Sequence, residues 1–470
     1  MIRFACVFPK PTELPMRSFR RSLLFTIGFL SLTAAVVPAA EPETAAERGW
    51  RWLTTKPYLP ADFTDGVFEQ LWTVWPESLR EQARTASAAE RRRMSFERYG
   101  LVERPGGDGT GPALGYVADG QGGWVMNCLA CHNGTVEGRM IPGVPNSLYA
   151  LETLTDEVRA VKTAMKIPLG HMELGGSRMP LGTTRGTTNS VMFGVALGAL
   201  RDRDLNVTLN VRRPKFVHHD MDAPAFWNTG RKKYLYCDGF VEKTPRPLLQ
   251  FVMVVQNSGS TMRGWEPEFA DILAWIESLT PPRYSGNIDM PLAVNGGKIF
   301  DNHCARCHGT YGENGKYPEK VIPLADVGTD PVRLSSLPRE YRESMKVGWY
   351  GESGKRDYNL DPKGYVAPPL NGIWASAPYF HNGSVPTLWH LLHPGQRPVV
   401  WRRALNGYDH VRMGLDVVEL EAVPSAVQTK DQRREYFDTR KPGKSAAGHQ
   451  FPDELTEDEK QAVLEYLKTL

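Results

Sequence analysis

Two pentapeptides of the chain combine a pair of thiols with an imidazole. They are Cys128-Leu-Ala-Cys131-His132 and Cys304-Ala-Arg-Cys307-His308. In this spacing, both thiols of a pentapeptide add to the vinyl groups of one haem, and the adjacent histidine reaches the iron as proximal ligand. The sequence therefore predicts two covalently bound c-type haems, with His132 and His308 as iron ligands.

Zinc is the alternative for paired cysteines. The two pairs of a Cys₄ zinc site usually lie about 12–20 residues apart. Here more than 170 residues separate Cys131 from Cys304, and each pair has its own histidine. The spacing therefore disfavours zinc.

The sixth iron ligand decides what each haem does. An iron with two strong protein ligands relays electrons, whereas an iron with an open face binds O₂ or peroxide. For the second haem, His381 in Ala377-Pro-Tyr-Phe-His-Asn-Gly-Ser-Val385 is the strongest distal candidate, and we expect it to bind the iron. The alternatives are His390, His393 and Met413.

The first haem has no comparable candidate. His171, His218 and His219 lie downstream of its motif, and the last two precede Phe226-Trp227. The pair His218-His219 fits a position between the haems and a surface loop equally well. This asymmetry indicates that the first haem is the open one.

A cytochrome c core needs a helix before the haem motif and a second helix that crosses it. Apolar residues at helical spacing predict second helices at Phe269–Leu279 and Ala462–Leu470. Thr456 and Glu459 form a capping box before the latter. Leu292–His303 is predicted as the helix that leads into the second motif.

These elements predict a mainly α protein with two cytochrome c-like domains in tandem. We expect an elaborated N-terminal domain at 41–280, a Pro-rich linker at 281–291 and a C-terminal domain at 292–470. The first domain is too long for a bare cytochrome fold, so long loops and small β segments are expected, including a strand at Asn206–Val211.

Residues 1–40 have the pattern of a cleaved secretion signal, with basic residues, an apolar run and small residues at the end. They hold five basic residues and one acid, and the rest of the chain has 51 basic and 52 acidic residues. A periplasmic or secreted protein is therefore predicted, and no nucleic-acid partner. Cys237 is the one mature cysteine outside the motifs and is expected to be buried and inert.

The chain resembles the bacterial di-haem cytochrome c peroxidase superfamily, which includes the methylamine-utilisation di-haem enzyme and the rubber oxygenases. The resemblance rests on Cys304–Gly312, on Val366–Val385 and on Ala223-Pro-Ala-Phe-Trp-Asn228. The Phe226-Trp227 pair is most similar to the rubber-oxygenase branch, where aromatic residues line the open haem face. The resemblance also allows a calcium ion between the domains, as in several relatives.

Three positions depart from the peroxidase pattern. Cys237 stands where peroxidases have the tryptophan of a Trp-Asp-Gly phrase, and Asn257 falls near their catalytic glutamate. Leu148 replaces a distal histidine sixteen residues after the first motif. Since peroxide cleavage needs a base to move a proton, these departures weaken a peroxidase interpretation.

The leading hypothesis is a di-haem oxidoreductase. Its N-terminal haem binds O₂ or peroxide, its C-terminal haem relays electrons, and Trp227 and Phe226 shape the distal pocket or carry electrons. The partner would be a small redox protein or another electron donor or acceptor. The alternatives are a non-catalytic electron-transfer cytochrome and a haem-dependent oxygenase of hydrophobic alkenes.

Overall fold

Helices and small sheets alternate along the chain. The computed structural model describes residues 41–208 and 216–470. Helices account for 41% and strands for 12%, so the fold is mixed, where we expected it to be mainly α. Residues 43–470 form one compact unit. The predicted signal, 1–40, and residues 209–211 of the predicted strand lie outside the described residues.

Ten α-helices are described before residue 280. They are α1 Ala45–Thr55, α2 Asp65–Phe68, α3 Glu77–Thr85, α4 Ala88–Tyr99, α5 Leu129–His132, α6 Leu151–Ala164, α7 His171–Gly176, α8 Ser190–Gly198, α9 Gly259–Gly264 and α10 Glu266–Ser278. Short 3₁₀ helices are described at Leu71–Val74, Phe226–Arg231 and Arg246–Val252.

Eight α-helices are described after residue 280. They are α11 Met290–His303, α12 Ala305–His308, α13 Leu324–Val327, α14 Val332–Ser336, α15 Arg339–Val347, α16 Leu388–Leu392, α17 Lys430–Arg434 and α18 Glu457–Leu467. Here 3₁₀ helices lie at Trp349–Gly351, Ile373–Ala375, Pro394–Gln396 and Phe451–Glu454.

The described strands form six small antiparallel sheets. Two sheets have three strands, in the orders β1-β3-β2 and β13-β12-β14, and the pairs are β4-β5, β6-β7, β8-β9 and β10-β11. The bounds are β1 Phe63–Thr64, β2 Tyr116–Ala118, β3 Gly123–Met126, β4 Thr135–Val136, β5 Arg139–Met140, β6 Thr187–Thr188, β7 Met221–Asp222, β8 Tyr234–Leu235, β9 Val241–Glu242, β10 Val321–Pro323, β11 Gly364–Val366, β12 Val400–Asp409, β13 Gly414–Leu420 and β14 Tyr436–Asp438.

The helices α1 and α10 cross at Gly49. A Cβ atom at Gly49 would lie 2.1 Å from the carbonyl oxygen of Asp271, so the two backbones approach more closely than a side chain allows. Trp50 and Trp275 pack together beside this contact, with ring centres 5.2 Å apart. The predicted helix at 269–279 is therefore present with slightly different ends, and its partner α1 is an element that the sequence analysis did not identify.

The helices α11 and α18 cross in the same way at Gly296. A Cβ atom there would lie 1.9 Å from the carbonyl oxygen of Ala462. Phe300 and Tyr466 flank the contact, with ring centres 5.2 Å apart. The predicted capping box is confirmed, since Thr456 and Glu459 cap α18 reciprocally. Each half of the chain thus contains one close crossing between an early and a late helix.

No regular element is described between Ser278 and Met290, the region of the predicted linker. The 281–291 boundary itself stays a prediction. A core around Trp374 and Phe300 also includes Trp227 and Val144 of the first half, so apolar side chains of both halves share it. Within residues 41–208 and 216–470, no helix has the length and apolar character needed to cross a bilayer.

Candidate haem sites

Both pentapeptides fold into one helical turn. The backbone N–H of His132 donates to the carbonyl of Cys128 at 3.1 Å, and that of His308 donates to Cys304 at the same distance. This turn brings the two cysteines and the histidine of each motif toward one side of the backbone. The two motifs therefore present their thiols and imidazole in the same local arrangement.

Two asparagines hold the first motif in place. The amide of Asn127 donates to the carbonyl of Leu53 in α1 at 2.9 Å, and its side-chain oxygen accepts from the N–H of Leu129 at 2.8 Å. The buried amide of Asn146 donates to the carbonyl of Ala130 at 2.9 Å. The Asn127 bonds connect the motif to α1, the helix that α10 crosses, and the Asn146 bond fixes the middle of the motif.

Each motif histidine donates to a proline carbonyl. Nδ1 of His132 lies 3.0 Å from the carbonyl oxygen of Pro224, and Nδ1 of His308 lies 2.8 Å from that of Pro368. Because a carbonyl only accepts, Nδ1 carries the hydrogen and Nε2 keeps its lone pair. Both imidazoles are therefore fixed in the tautomer that binds a metal through Nε2.

Burial keeps these imidazoles neutral. It lowers the pKa of His132 to about 4 and also lowers the pKa of His308, in each case against the hydrogen bond to the proline carbonyl. A metal ligand must be the neutral imidazole, so both side chains are in the binding form at neutral pH.

None of the motif cysteines forms a disulfide within the described residues. Burial raises the pKa of Cys128 to about 11, of Cys131 to about 12 and of Cys304 to about 11. Over the described residues, neither cysteine pair belongs to a group of three or more side chains that could hold a metal ion. The donor set therefore fits thioether bonds to haem better than a cysteine-bound metal.

A second imidazole faces His308. The ring of His449 lies 6.2 Å from that of His308, centre to centre, with 61° between the ring planes. A metal–imidazole bond is about 2 Å long, so two such bonds on opposite sides of one iron give ring centres about 6 Å apart. The two histidines therefore fit the fifth and sixth positions of one haem iron.

The loop before His449 is held tightly. The N–H of His449 donates to the carbonyl of Val327 at 2.6 Å, and the guanidinium of Arg397 donates to the carbonyls of Ala446 and Gly448 at 2.6 and 2.7 Å. A Cβ atom at Gly448 would lie 2.4 Å from the backbone of 327–329. His449 itself has φ of 50°, a conformation that a non-glycine residue keeps only when its surroundings impose it.

His381, the expected distal ligand, lies elsewhere. Its ring stacks on Tyr365, with centres 4.3 Å apart and an angle of 18°, and its carbonyl accepts from the N–H of Asp222. Burial and the nearby Arg333 lower its pKa to about 3. Among the described rings it makes no contact with His308, and His449 occupies the facing position instead.

The alternative ligands have structural partners. Nδ1 of His390 bonds Thr387 Oγ1 at 2.8 Å, and its Nε2 lies 3.3 Å from Glu419. His393 is held between the carbonyl of Trp389 and the carboxylate of Glu457. Met413 is fully buried in the core that both halves share.

Phe226 lies against the first motif histidine. Its ring stacks on that of His132, with centres 3.9 Å apart and an angle of 14°. We expected Phe226 on the distal face, but this contact puts it beside the imidazole that should bind the iron from the proximal side. Trp275 meets the other part of the Phe226 ring edge-on at 6.3 Å.

Trp227 connects the two histidine-holding segments. Its Nε1 donates to the carbonyl of Asn371 at 2.7 Å, three residues after Pro368. The amide of Asn228 donates to the carbonyls of Pro369 and Asn371, both at 3.1 Å. The segment that fixes His132 is therefore hydrogen-bonded to the segment that fixes His308.

The remaining histidines of the first half make polar contacts of their own. Nε2 of His218 lies 3.2 Å from the buried Asp220, and Nε2 of His171 lies 3.3 Å from Asp62. Nδ1 of His219 lies 2.8 Å from the carbonyl of Val217. None of the three makes a ring contact with His132 within the described residues.

The positions that depart from the peroxidase pattern have structural contacts. The carbonyl of Cys237 accepts from the N–H of Val366 at 2.7 Å, and burial raises the pKa of its thiol to about 11. The next residue, Asp238, is fully buried between the guanidinium groups of Arg333 and Arg342. The amide of Asn257 donates to the carbonyls of Tyr58 and Val252.

Over residues 41–208 and 216–470, no group of three or more histidine, cysteine and acidic side chains is arranged to hold a metal ion. A covalent haem does not need such a group, because its own nitrogens supply four of the six ligands. The calcium ion stays a prediction.

Part of the second half matches a known family. Residues 364–402 match the family model described as RoxA-like, cytochrome c-like. This segment contains Pro368, whose carbonyl fixes His308, and Asn371, which accepts from Trp227. The match supports a relationship to RoxA-like c-type cytochromes and thus a covalently bound haem.

Two curated proteins of Sinorhizobium fredii are similar to the chain. The uncharacterized protein y4iM is 27% identical over 254 residues, which cover 48% of this chain and 56% of that protein. The uncharacterized protein y4iJ is 30% identical over 258 residues, which cover 41% of each. The chain spans about half the length of the curated relatives it matches.

Proposed function

We propose that the protein is an exported di-haem c-type cytochrome that acts as an oxidoreductase. The observation that carries this proposal is the difference between the two motif histidines. His308 faces a second imidazole at 6.2 Å, whereas the described ring contact of His132 is with Phe226. On this proposal, one centre would have two protein ligands, and the other would offer a free position to an oxidant.

At the second motif, Cys304 and Cys307 would attach the haem, and His308 and His449 would bind its iron. Two imidazole ligands would leave no position for a substrate, so this centre would relay electrons. The hydrogen bonds of Arg397 to the loop before His449 keep the second imidazole in position. His449 takes the role that the sequence suggested for His381.

At the first motif, Cys128 and Cys131 would attach the haem, and His132 would bind its iron. Such a haem would supply one-electron chemistry and a site for O₂ or peroxide. Pro224 fixes the tautomer of His132, and Phe226 limits the rotation of its ring. Phe226 thereby positions the proximal ligand.

Trp227 is proposed to carry electrons between the centres. It belongs to the segment that fixes His132 and bonds the segment that fixes His308. A buried indole with its N–H satisfied offers an oxidisable π system on a hydrogen bond between these segments. The external partner is proposed to be a small redox protein or another one-electron donor, in the periplasm or outside the cell.

Spectroscopy of the oxidised protein tests this assignment. Electron paramagnetic resonance should give one low-spin haem, from the His308–His449 pair, and one haem that is high-spin or changes with cyanide. The Soret band should shift when carbon monoxide is added to the reduced protein. Two low-spin signals together with no response to cyanide or carbon monoxide would instead assign a non-catalytic electron-transfer cytochrome.

An oxygenase acting on hydrophobic alkenes is the second candidate. It is favoured by the RoxA-like match and by the apolar rings of Phe226, Trp275 and Trp50 near the first motif. It also needs no carboxylate at Asn257. Incubation of the pure protein with polyisoprene or a small terpenoid under O₂ should then yield carbonyl products, and their absence would reject this candidate.

A further inference from the structure

A tyrosine, a histidine and a glutamate near the surface are joined by two hydrogen bonds. The hydroxyl of Tyr284 lies 2.9 Å from Nδ1 of His410, and Nε2 of His410 lies 2.7 Å from Glu137 Oε1. Because a carboxylate only accepts, Nε2 of the neutral imidazole carries the hydrogen. Nδ1 therefore accepts from the phenol, and the imidazole is ready to take the phenolic proton.

Three distant segments supply these residues. Glu137 is at the tip of the β4–β5 hairpin, which follows the first haem motif, and its φ of 52° with 72° at Gly138 gives the tight turn. His410 lies in the turn between β12 and β13, and Tyr284 lies between α10 and α11. Arg139 of the hairpin also donates to Ser285 Oγ at 3.0 Å, so the segments are joined beside these three residues.

On the side facing the core, Tyr284 packs against aromatic rings. Its ring meets Trp374 edge-on, with centres 5.3 Å apart, and Trp374 is 1% exposed. Tyr408 packs on Trp374 at 6.0 Å and on His410 at 5.0 Å. The buried Trp374 is therefore connected to His410 by two routes of ring contacts, one through Tyr284 and one through Tyr408.

Trp374 lies close to the residue that connects the haem sites. It is two residues from Gly372, where a Cβ atom would lie 2.9 Å from Nε1 of Trp227. Both tryptophans belong to the same core. Trp374 thus shares a core with Trp227, and ring contacts continue from Trp374 to Tyr284 and the exposed His410.

Charges around the phenol come from the β4–β5 hairpin and from the C-terminal end of the chain. Partial burial raises the pKa of Tyr284, and Glu137 and Glu465 raise it further. The ammonium of Lys468 lies 5.7 Å from the Tyr284 ring centre, and Arg139 lies 3.7 Å from Glu137. The phenol is therefore protonated at neutral pH, so losing an electron requires a proton acceptor, and His410 is placed to be that acceptor.

We propose that Tyr284, His410 and Glu137 form the outer end of an electron route, at which an external one-electron donor reduces the protein. The route rests on the proposed oxidoreductase function, with a haem centre oxidised by peroxide as the electron acceptor. Tyr284 gives one electron inward through Trp374 and its hydroxyl proton to Nδ1 of His410. The products are a neutral tyrosyl radical and an imidazolium paired with Glu137. The donor then returns one electron to Tyr284, and the proton returns from Nδ1.

The first experiment separates this step from haem chemistry. A ruthenium tris-bipyridine photo-oxidant in solution is flashed with the haem-loaded protein, and the tyrosyl radical is followed by absorbance and electron paramagnetic resonance. We expect the radical in the wild type, its loss in Tyr284→Phe, and at least about tenfold slower formation in His410→Gln. Formation in deuterated water should be slower for the wild type and insensitive to the solvent for His410→Gln.

The control is Tyr234→Phe. Tyr234 is another partly buried tyrosine, whose hydroxyl donates to Asp357 instead of a histidine, and it lies outside the Trp374–Tyr284–His410 ring contacts. This variant should keep the radical. Equal radical yield in the wild type and Tyr284→Phe would overturn the proposal, whatever the haem spectra show.

The second experiment uses peroxide and rapid freezing. The wild type should give a radical whose electron paramagnetic resonance signal narrows when ring-deuterated tyrosine is incorporated. Tyr284→Phe should lose this signal. If peroxide leaves the haem spectra unchanged, the proposed function fails, while the photo-oxidation result still decides on Tyr284. If peroxide oxidises the haems but the radical persists in Tyr284→Phe, the proposed route is wrong and the proposed function stands.

Discussion

The indole nitrogen of Trp227 donates a 2.7 Å hydrogen bond to the carbonyl oxygen of Asn371. This bond joins a segment that fixes His132 through Pro224 to one that fixes His308 through Pro368. The two imidazoles are therefore held by one connected piece of backbone and hydrogen bonds. A shift in the position of either histidine can therefore be passed to the other through this hydrogen bond.

Replacing Trp227 by phenylalanine should slow electron transfer between the haems by at least about tenfold, because the hydrogen bond and the indole are lost together. The folding cost should be only about 1 kcal/mol, since Asn228 still donates to the Asn371 carbonyl. Photolysis of the carbon monoxide complex in the half-reduced protein measures the transfer rate.

Trp401→Phe is the matched control for this prediction. Trp401 is also a buried tryptophan of the shared core. Its Nε1 donates to the carbonyl of Ser384 and takes no part in the Trp227–Asn371 contact. An equal slowing in both variants would show that the effect is general loosening of the core.

His449→Ala should convert one low-spin haem into a high-spin one, because it removes the imidazole that faces His308. His381→Ala should leave both haem signals as in the wild type, since its ring stacks on Tyr365. Electron paramagnetic resonance of the two oxidised variants distinguishes these outcomes. Loss of the low-spin signal in His381→Ala, with retention in His449→Ala, would restore His381 as the ligand.

Gly49→Ala and Gly296→Ala should each destabilise the protein by about 1–3 kcal/mol or more, because the added methyl group meets a carbonyl of the crossing helix. Gly297→Ala is the control in the same helix as Gly296. There the nearest atom is 3.2 Å away on the Tyr466 ring, and the better helix propensity of alanine should offset the contact. Urea unfolding of the three variants measures the differences, and equal losses at 296 and 297 would contradict the close crossing.

Asp62 should make stability depend on pH. Burial raises its pKa from 3.8 to about 6, so the folded state binds its proton more tightly than the unfolded chain does. The stabilisation is complete below the unfolded pKa and is lost as the pH rises through about 6. The wild type should therefore lose about 2 kcal/mol relative to Asp62→Asn between about pH 4 and about pH 7.

Urea unfolding at both pH values measures this difference. Asp361→Asn is the control, because Lys363 lowers the pKa of that exposed carboxylate and its small effect has the opposite sign. A difference between the wild type and Asp62→Asn that does not change with pH would contradict the burial of the charge.

Local sequence patterns predicted the haem motifs and most of the helices that pack around them. The haem motifs, α10, α11, α18 and the Thr456 capping box each depend on residues within about a dozen positions, where spacing is informative. The same kind of signal was present for α1, since Thr44 and Glu47 form a capping box. It was not connected to the first motif because more than 70 residues separate them.

The histidine that faces His308 could not be predicted in this way. His449 lies 141 residues after His308 in an irregular loop, and the packing of Gly448 against 327–329 and the Arg397 hydrogen bonds place its ring opposite that of His308. His381 had the more suggestive neighbours, but tertiary contacts place it on Tyr365. The repeated Ala-Pro at 223–224 and 367–368 was a usable signal for the carbonyls that fix the two imidazoles.

The two glycine crossings also set an order of events during synthesis. Helix α10 begins more than 130 residues after His132, and α18 begins nearly 150 residues after His308. A chain made from its N-terminus therefore presents each Cys-x-x-Cys-His segment long before the helix that closes over it exists. Such high contact order costs folding speed. In return, each thiol pair stays unburied until the late helix has been made, which is the state that the proposed haem attachment requires.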